Sequence, residues 1–309
     1  LSKLTRAAAR LRREWHKARF AAVARQVLGT SPLDMAGHAP VFVTQLCERD
    51  VHAYLLAIKS LYRRIGTGSV HIIDDGSLTP ASRTLLAHHL PRLTIEPMAA
   101  IDVGPCPRGG CWERLCRAVD LSRECYVIQI DADTLTLADV PEVRDCLARG
   151  TSFLLGTDSG QAIATAAEVA AIVRGWIARH RWTSLSLSVE AEASLDRLPD
   201  PSAAYVHASA GFAGFARGSV AIGDLHRFSD AMATLLGRVR WASWGSEQIA
   251  SNHILANAPG AVVLPFPRYA CAEPHVSTVD SALVHFIGSY RHATDLYRSG
   301  ARRALGLLR

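Results

Sequence analysis

No uncharged apolar run of 18 residues occurs in the sequence, which excludes a membrane-spanning helix on hydropathy. The nearest candidate, residues 162–173, is short and is broken by Glu168. No signal-peptide pattern opens the chain, whose first residue is Leu1. Cysteines are scattered and odd in number at seven, so thiols in a reducing compartment are expected rather than a disulfide framework. Cys106, Cys111 and Cys116 recur with four residues between them, looser than the pairs zinc takes. Lysine is nearly missing: Lys3, Lys17 and Lys59 are the only three, all in the first fifth of the chain. Internal repeats are absent, and so is any low-complexity tract beyond a basic opening segment. The expectation is a cytoplasmic protein, with peripheral membrane attachment as the alternative.

What is present is enough for a core. The chain has 309 residues and an apolar share of 49%, ordinary for a globular protein and too high for global disorder. Net charge is +6, and much of it is gathered at the start. Lys3, Arg6, Arg10, Arg12, Arg13, Lys17, Arg19 and Arg25 stand against a single acid, Glu14. Leu4, Leu11, Trp15, Ala18, Ala22 and Val23 fall near helical spacing, which makes residues 1–28 a basic amphipathic helix. Such a helix either lies on an anionic membrane or docks its apolar stripe on the domain. The tail repeats the charge with Arg291, Arg298, Arg302, Arg303 and Arg309. No nucleic-acid partner is expected.

After a Gly/Pro linker at 28–40, strands and helices alternate. "VFVTQL" (41–46), "SVHIID" (69–74) and "RLTIEP" (92–97) read as strands. Between and after them, residues 51–66, 79–90 and 112–122 read as helices, the first closed by Gly66 and the second opened by Pro80. This is the pattern of an α/β fold with a mostly parallel, Rossmann-like sheet flanked by helices. Ligands in such sheets bind beyond the carboxyl ends of the strands. Thr44, Gln45, Asp74, Asp75, Asp131 and Asp133 all fall at such ends. Further on, 152–158 reads as a strand, 162–180 as a helix, 204–219 as a strand pair, 241–258 as a turn and helix, and 282–291 as a last strand and turn.

The stretch "YVIQIDADT" (126–134) carries the sharpest signal. Val127, Ile128 and Ile130 form a strand buried on both faces. It ends in two carboxylates that sit about 6.5 Å apart along an extended chain and point to one side. Two like charges placed there call for a positive partner, and a hard divalent cation is one. Three chemistries compete. The pair could hold Mg²⁺ or Mn²⁺ against the diphosphate of a nucleotide-sugar. It could be the Asp-x-Asp-x-Thr of a haloacid dehalogenase-like phosphatase, with Asp131 as nucleophile and Asp133 as acid/base. It could also be a capped strand end. The phosphatase needs its nucleophile on the first strand and a downstream lysine, and this chain has neither. A glycosidase fits worse still, because two aspartates two residues apart on one strand point the same way rather than flanking a sugar ring from opposite sides.

Several motifs together resemble the GT-A-fold glycosyltransferases, particularly glycosyltransferase family eight, over residues 40–291. "YVIQIDADTLTLADVPEV" resembles their metal-binding strand. "VHASAGFAGF" (206–215) is similar to their Asn-Ser-Gly segment, with Ser209 and Ala210 in place of Asn-Ser. "SEQIASNHIL" (246–255) resembles their Asp-Gln-Asp helix start, with Glu247 and Gln248 at its first two positions. "VHFIGSYR" (284–291) is similar to their His-Phe-x-Gly segment. The resemblance implies His285 as third metal ligand, Gly288 beside the diphosphate and Arg291 where the family has a phosphate-binding lysine. "HIIDDGS" (71–77) is similar to the nucleotide-binding strand of family two.

The residues also read without that resemblance. His285 could complete an oxygen-rich cation site or simply be packed. Arg291 could grip a phosphate or be a solvated tail residue. Asp74 and Asp75 could accept from a ribose or base, or be turn chemistry. Glu247, between Trp241 and Trp244 and a helix, could fix or deprotonate a sugar hydroxyl, or merely suit a helix N-terminus. Asp158, at a strand end, is a spare catalytic candidate. Gly211 and Gly214 permit close approach of a ligand or tight strand packing.

The expectation is a metal-dependent glycosyltransferase using Mn²⁺ or Mg²⁺, a nucleotide-sugar donor and an acceptor hydroxyl. Residues 1–39 would form a basic helical extension and linker, 40–291 the catalytic domain and 292–309 a basic tail. The alternatives are a haloacid dehalogenase-like phosphatase using Asp131, or a non-catalytic nucleotide-sugar or anionic-membrane binder.

Overall fold

The structure, a computed structural model, describes residues 3–309. Leu1 and Ser2, with the side chains of Lys3, Leu4 and Arg6 expected on the basic helix, lie outside the described residues. The chain forms two compact units: Leu1–Glu96, Ile130–Pro141 and Pro267–Arg309 make the first, and Pro97–Gln129 and Glu142–Phe266 the second.

The first unit opens with α1 (Lys3–Ala24), followed by β1 (Val41–Leu46), α2 (Val51–Ile65), β2 (Ser69–Asp74), α3 (Pro80–His89) and β3 (Leu93–Pro97). β1 and β2 pair in parallel, from Val41 opposite Ser69 to Leu46 opposite Asp74. Parallel neighbours need a crossover, and α2 supplies it. α2 stops where expected: Gly66 takes a left-handed φ of 79°, and its N–H donates to the Tyr62 carbonyl at 2.7 Å. α3 starts on its own signal, the Thr79 side chain accepting from the Ser82 N–H with Pro80 at the first helical position. A small second sheet joins β11 (Tyr269–Cys271), β12 (Leu283–His285) and β5 (Thr134–Thr136). β12 runs antiparallel to β5 with His285 opposite Thr134. Helix α11 (Leu296–Leu308) closes the unit and packs against α1 and α2.

The amphipathic first helix splits its duties. Its inner face is Phe20, Val23 and Ala24, continued by Val27, all buried. Phe20 stacks on Tyr297 at 3.8 Å, and Tyr297 stacks on Phe286 at 4.5 Å. Among the described residues of the expected apolar stripe only Val23 is inside; Leu11 and Trp15 are 72% and 53% exposed, and Ala18 and Ala22 are exposed too.

The second unit carries α4 (Trp112–Leu121), β4 (Val127–Ile130), α5 (Pro141–Arg149), β6 (Phe153–Gly156), β7 (Ala164–Thr165), α6 (Ala166–His180), α7 (Leu187–Glu192), β8 (Ala204–Tyr205), β9 (Ala208–Phe215), α8 (Ile222–Leu236), α9 (Arg238–Trp241), α10 (Ser246–Ala256) and β10 (Val262–Val263). β6 pairs in parallel with β10 and antiparallel with β9. α6 begins in a capping box made by Thr165 and Glu168. The fold class is α/β, with a seven-stranded, mostly parallel sheet in the order β10-β6-β9-β4-β1-β2-β3 flanked by helices. The expected strand pair at 204–219 instead contributes to two sheets, because β8 pairs with β7 and β9 joins the large sheet.

Candidate active site

Asp131 and Asp133 stand in the short turn between β4 and β5. The turn is closed locally: the Thr134 N–H and hydroxyl both donate to the Asp131 carbonyl, at 3.2 and 2.9 Å. From there the β5–β12 ladder does the positioning. Pairing His285 with Thr134 lets the Phe286 N–H donate to the Asp133 carbonyl at 2.9 Å. The imidazole is thereby carried to both carboxylates. Its Nε2 lies 3.1 Å from Asp133 Oδ1 and 3.6 Å from Asp131 Oδ2. One ligand atom from each of the three residues lies within 4.8 Å of the others. Two ligands of one Mg²⁺ at about 2.1 Å stand about 3.0 Å apart when adjacent and about 4.2 Å when opposed. The donor set and its spacing therefore fit a hard divalent cation, with His285 as the borderline nitrogen ligand.

Arg291 reaches the same carboxylate from the other side. Its Nη2 pairs with Asp133 Oδ2, and its Nη1 lies 3.5 Å from Asp50 Oδ1. Burial by itself would raise the Asp133 pKa, but the charges and hydrogen bonds of His285 and Arg291 outweigh it and hold the carboxyl at about 2. His285 shows the mirror effect: burial would lower it, and Asp133 raises it to about 9. Asp50, in the turn before α2, was not singled out from the sequence. Its signal is the Glu48-Arg49-Asp50 run just beyond the end of β1, on the rim where ligands of such sheets bind.

The other expected residues are placed as follows. Thr44 on β1 is buried and Gln45 half-buried. Asp74 is buried, accepting from the Gly76 and Leu78 N–H groups and pairing with Arg83. Asp75 is exposed and accepts from the Ser77 N–H and hydroxyl, so both acids serve their turn. Gly288 is exposed with φ 36°.

In the second unit Glu247, at the start of α10, is buried and faces Arg114 at 3.2 Å and the Gln129 amide at 3.5 Å. Burial pushes its pKa up, with Arg114 opposing. Trp241 is core, its indole N–H donating to Ser229, whereas Trp244 is 80% exposed. Asp158 is exposed beyond β6. Gly214 answers to packing: a Cβ there would meet the Phe153 ring at 2.3 Å and the Tyr126 hydroxyl at 2.6 Å.

No family model matches the chain, and no curated protein does. Solved structures do. The bifunctional glycosyltransferase WbbM, in its apo form, is similar at a TM-score of 0.49 and 13% identity over 88% of this chain, which spans 50% of WbbM. The galactosyltransferase LgtC, solved with donor and acceptor sugar analogues, is similar at 0.46 and 12% identity over 87% of this chain and 95% of LgtC. Core-mannan synthase A from Aspergillus fumigatus, in an Mn/GDP form, is similar at 0.41 and 9% identity, covering 85% of this chain and 83% of that one. None of these likenesses singles out family eight.

Proposed function

We propose that this protein is a metal-dependent glycosyltransferase that moves a sugar from a nucleoside-diphosphate donor to an acceptor hydroxyl. The observation that carries the reading is the convergence of Asp131 and Asp133, in the turn between β4 and β5, with His285 at the end of the distant β12. These three would hold Mn²⁺ or Mg²⁺, which supplies positive charge for a departing diphosphate. Arg291 supplies a fixed guanidinium beside them, suited to the same leaving group. Gly288 keeps the approach to that guanidinium open, and Gln45, half-buried where Thr44 beside it is fully buried, faces the nucleotide. A phosphatase fits less well, because its acid/base needs a carboxyl free to move a proton, and Asp133 is tied to both His285 and Arg291. Asp133→Ala is expected to abolish both Mn²⁺ binding, read by calorimetry, and metal-dependent donor hydrolysis. Undiminished hydrolysis by that variant would count against the assignment.

We also propose that α1 touches an anionic membrane. Its exposed Leu11, Trp15, Ala18 and Ala22 lie opposite the face that docks on α11, with the Arg19 guanidinium 4.2 Å over the Trp15 ring. Among the described residues no helix is long and apolar enough to cross a bilayer, so contact would be peripheral. Pelleting with phosphatidylglycerol vesicles should weaken in a Leu11→Ser/Trp15→Ser variant; equal pelleting rejects the idea.

A further inference from the structure

Within the first unit, α1, the start of α2 and the segment after β12 enclose a groove of about 380 Å³. Four permanent cations line it, Arg13, Lys17, Arg49 and Arg291, against two acids, Glu14 and Asp50. The acids are already shared. Glu14 lies 3.9 Å from Lys17, and Asp50 lies 3.1 Å from Arg49 and 3.5 Å from Arg291. Arg291 has more to give: its Nε is buried and has no hydrogen-bond partner among the described residues. Two imidazoles on the same lining report the field. His292 is driven down to about 4 by burial, Arg291 and Lys17, and His52 is lowered by burial and Arg25. A cavity with surplus fixed cations and an unused guanidinium N–H is built for an anion.

We propose that this groove is a phosphate site, gripped by Arg13 and Lys17 of α1 together with Arg49, and sharing Arg291 at its inner end. Two of its cations come from the helical extension, so it lies beyond the metal-centred donor site proposed above. The ligand is a phosphate-bearing group, supplied either by a nucleotide-type diphosphate or by the monoester headgroup of a lipid. One consequence rests on the metal reading. An anion that engages Arg291 loosens its hold on Asp133, so anion and divalent cation should favour each other's binding.

The test uses the whole chain and calorimetry in chelator, so that no divalent ion takes part. Pyrophosphate and glycerol 3-phosphate serve as probes of the two sources. At least one is expected to bind wild type, the tighter probe identifying the source. Arg13→Ala/Lys17→Ala should weaken it by about tenfold or more, with Mn²⁺ affinity and melting temperature unchanged. Arg49→Ala, on an exposed side chain, is the second variant should the double change unfold α1. Wild type binding neither probe, or binding equally in all variants, overturns the proposal. Asp133→Ala separates it from the catalytic reading: loss of Mn²⁺ binding with retained pyrophosphate binding leaves the groove standing whatever the reaction is.

Discussion

Both units contain a buried carboxylate held by an arginine, and the two pairs differ in what surrounds them. Asp133 meets Arg291 in a cluster that also holds Asp131 and His285, at a rim where Asp131 is 28% exposed and Arg291 23% exposed. Glu247 meets Arg114 with side chains only 6% and 4% exposed and with Gln129 as the further partner. The first carboxyl is held down at about 2 and the second is pushed up. A crowd of partners close to solvent keeps a charge ready for exchange with a ligand. A single opposite charge in a sealed core makes a charge structural.

The largest expected effect comes from breaking the sealed pair. Arg114→Ala strands Glu247 and should cost about 3–5 kcal/mol of unfolding free energy in urea, whereas Arg291→Ala should cost well under half of that. Equal losses would erase the contrast. Next, Asp133→Asn should reduce Mn²⁺ affinity by about 100-fold with a melting temperature near wild type, while Glu247→Gln should leave Mn²⁺ affinity unchanged; calorimetry reads both. Glycines sharpen the same comparison. Gly214→Ala drives a methyl into the Phe153 ring and should cost about 1–3 kcal/mol, while Gly288→Ala, with nothing within 4 Å of the added carbon, pays only about 1 kcal/mol for its left-handed backbone.

A further comparison concerns pH and touches both units. Burial lowers His89 and His253 to about 4 in the fold, against about 6.5 in an unfolded chain. Between those values the unfolded state binds protons that the folded state refuses. Stability is therefore expected to fall as pH drops from about 6.5 to about 4 and to lose nothing more from these groups below that. Urea titrations across that range check the slope; a flat profile down to pH 4 would refute it.

Much of the first unit was legible because its signals are local. Val41–Leu46 and Ser69–Asp74 announce themselves as apolar runs, Gly66 and Thr79-Pro80 punctuate the helices, and Asp131 and Asp133 mark the end of β4. The sequence alone also pointed to His285, but only by resemblance, since nothing local says which strand it will pair with. The β5–β12 ladder decides that, across an interval of 152 residues. The α1 stripe shows the same limit. Helical periodicity established that one face is apolar, yet the docking face is centred on Phe20 and Val23, chosen by the aromatic surface of Tyr297.

By itself the sequence determined the alternation of strands and helices, the caps that end them and an acidic notch at the rim of a buried strand, because each depends on neighbours within a turn or two. Only the tertiary structure decided that Arg291 and His285 close on that notch, that Asp74 serves its turn and that Arg114 is the partner of Glu247. Electrostatics acts through space, and the partners of a charge are set by which distant segments the core brings into register.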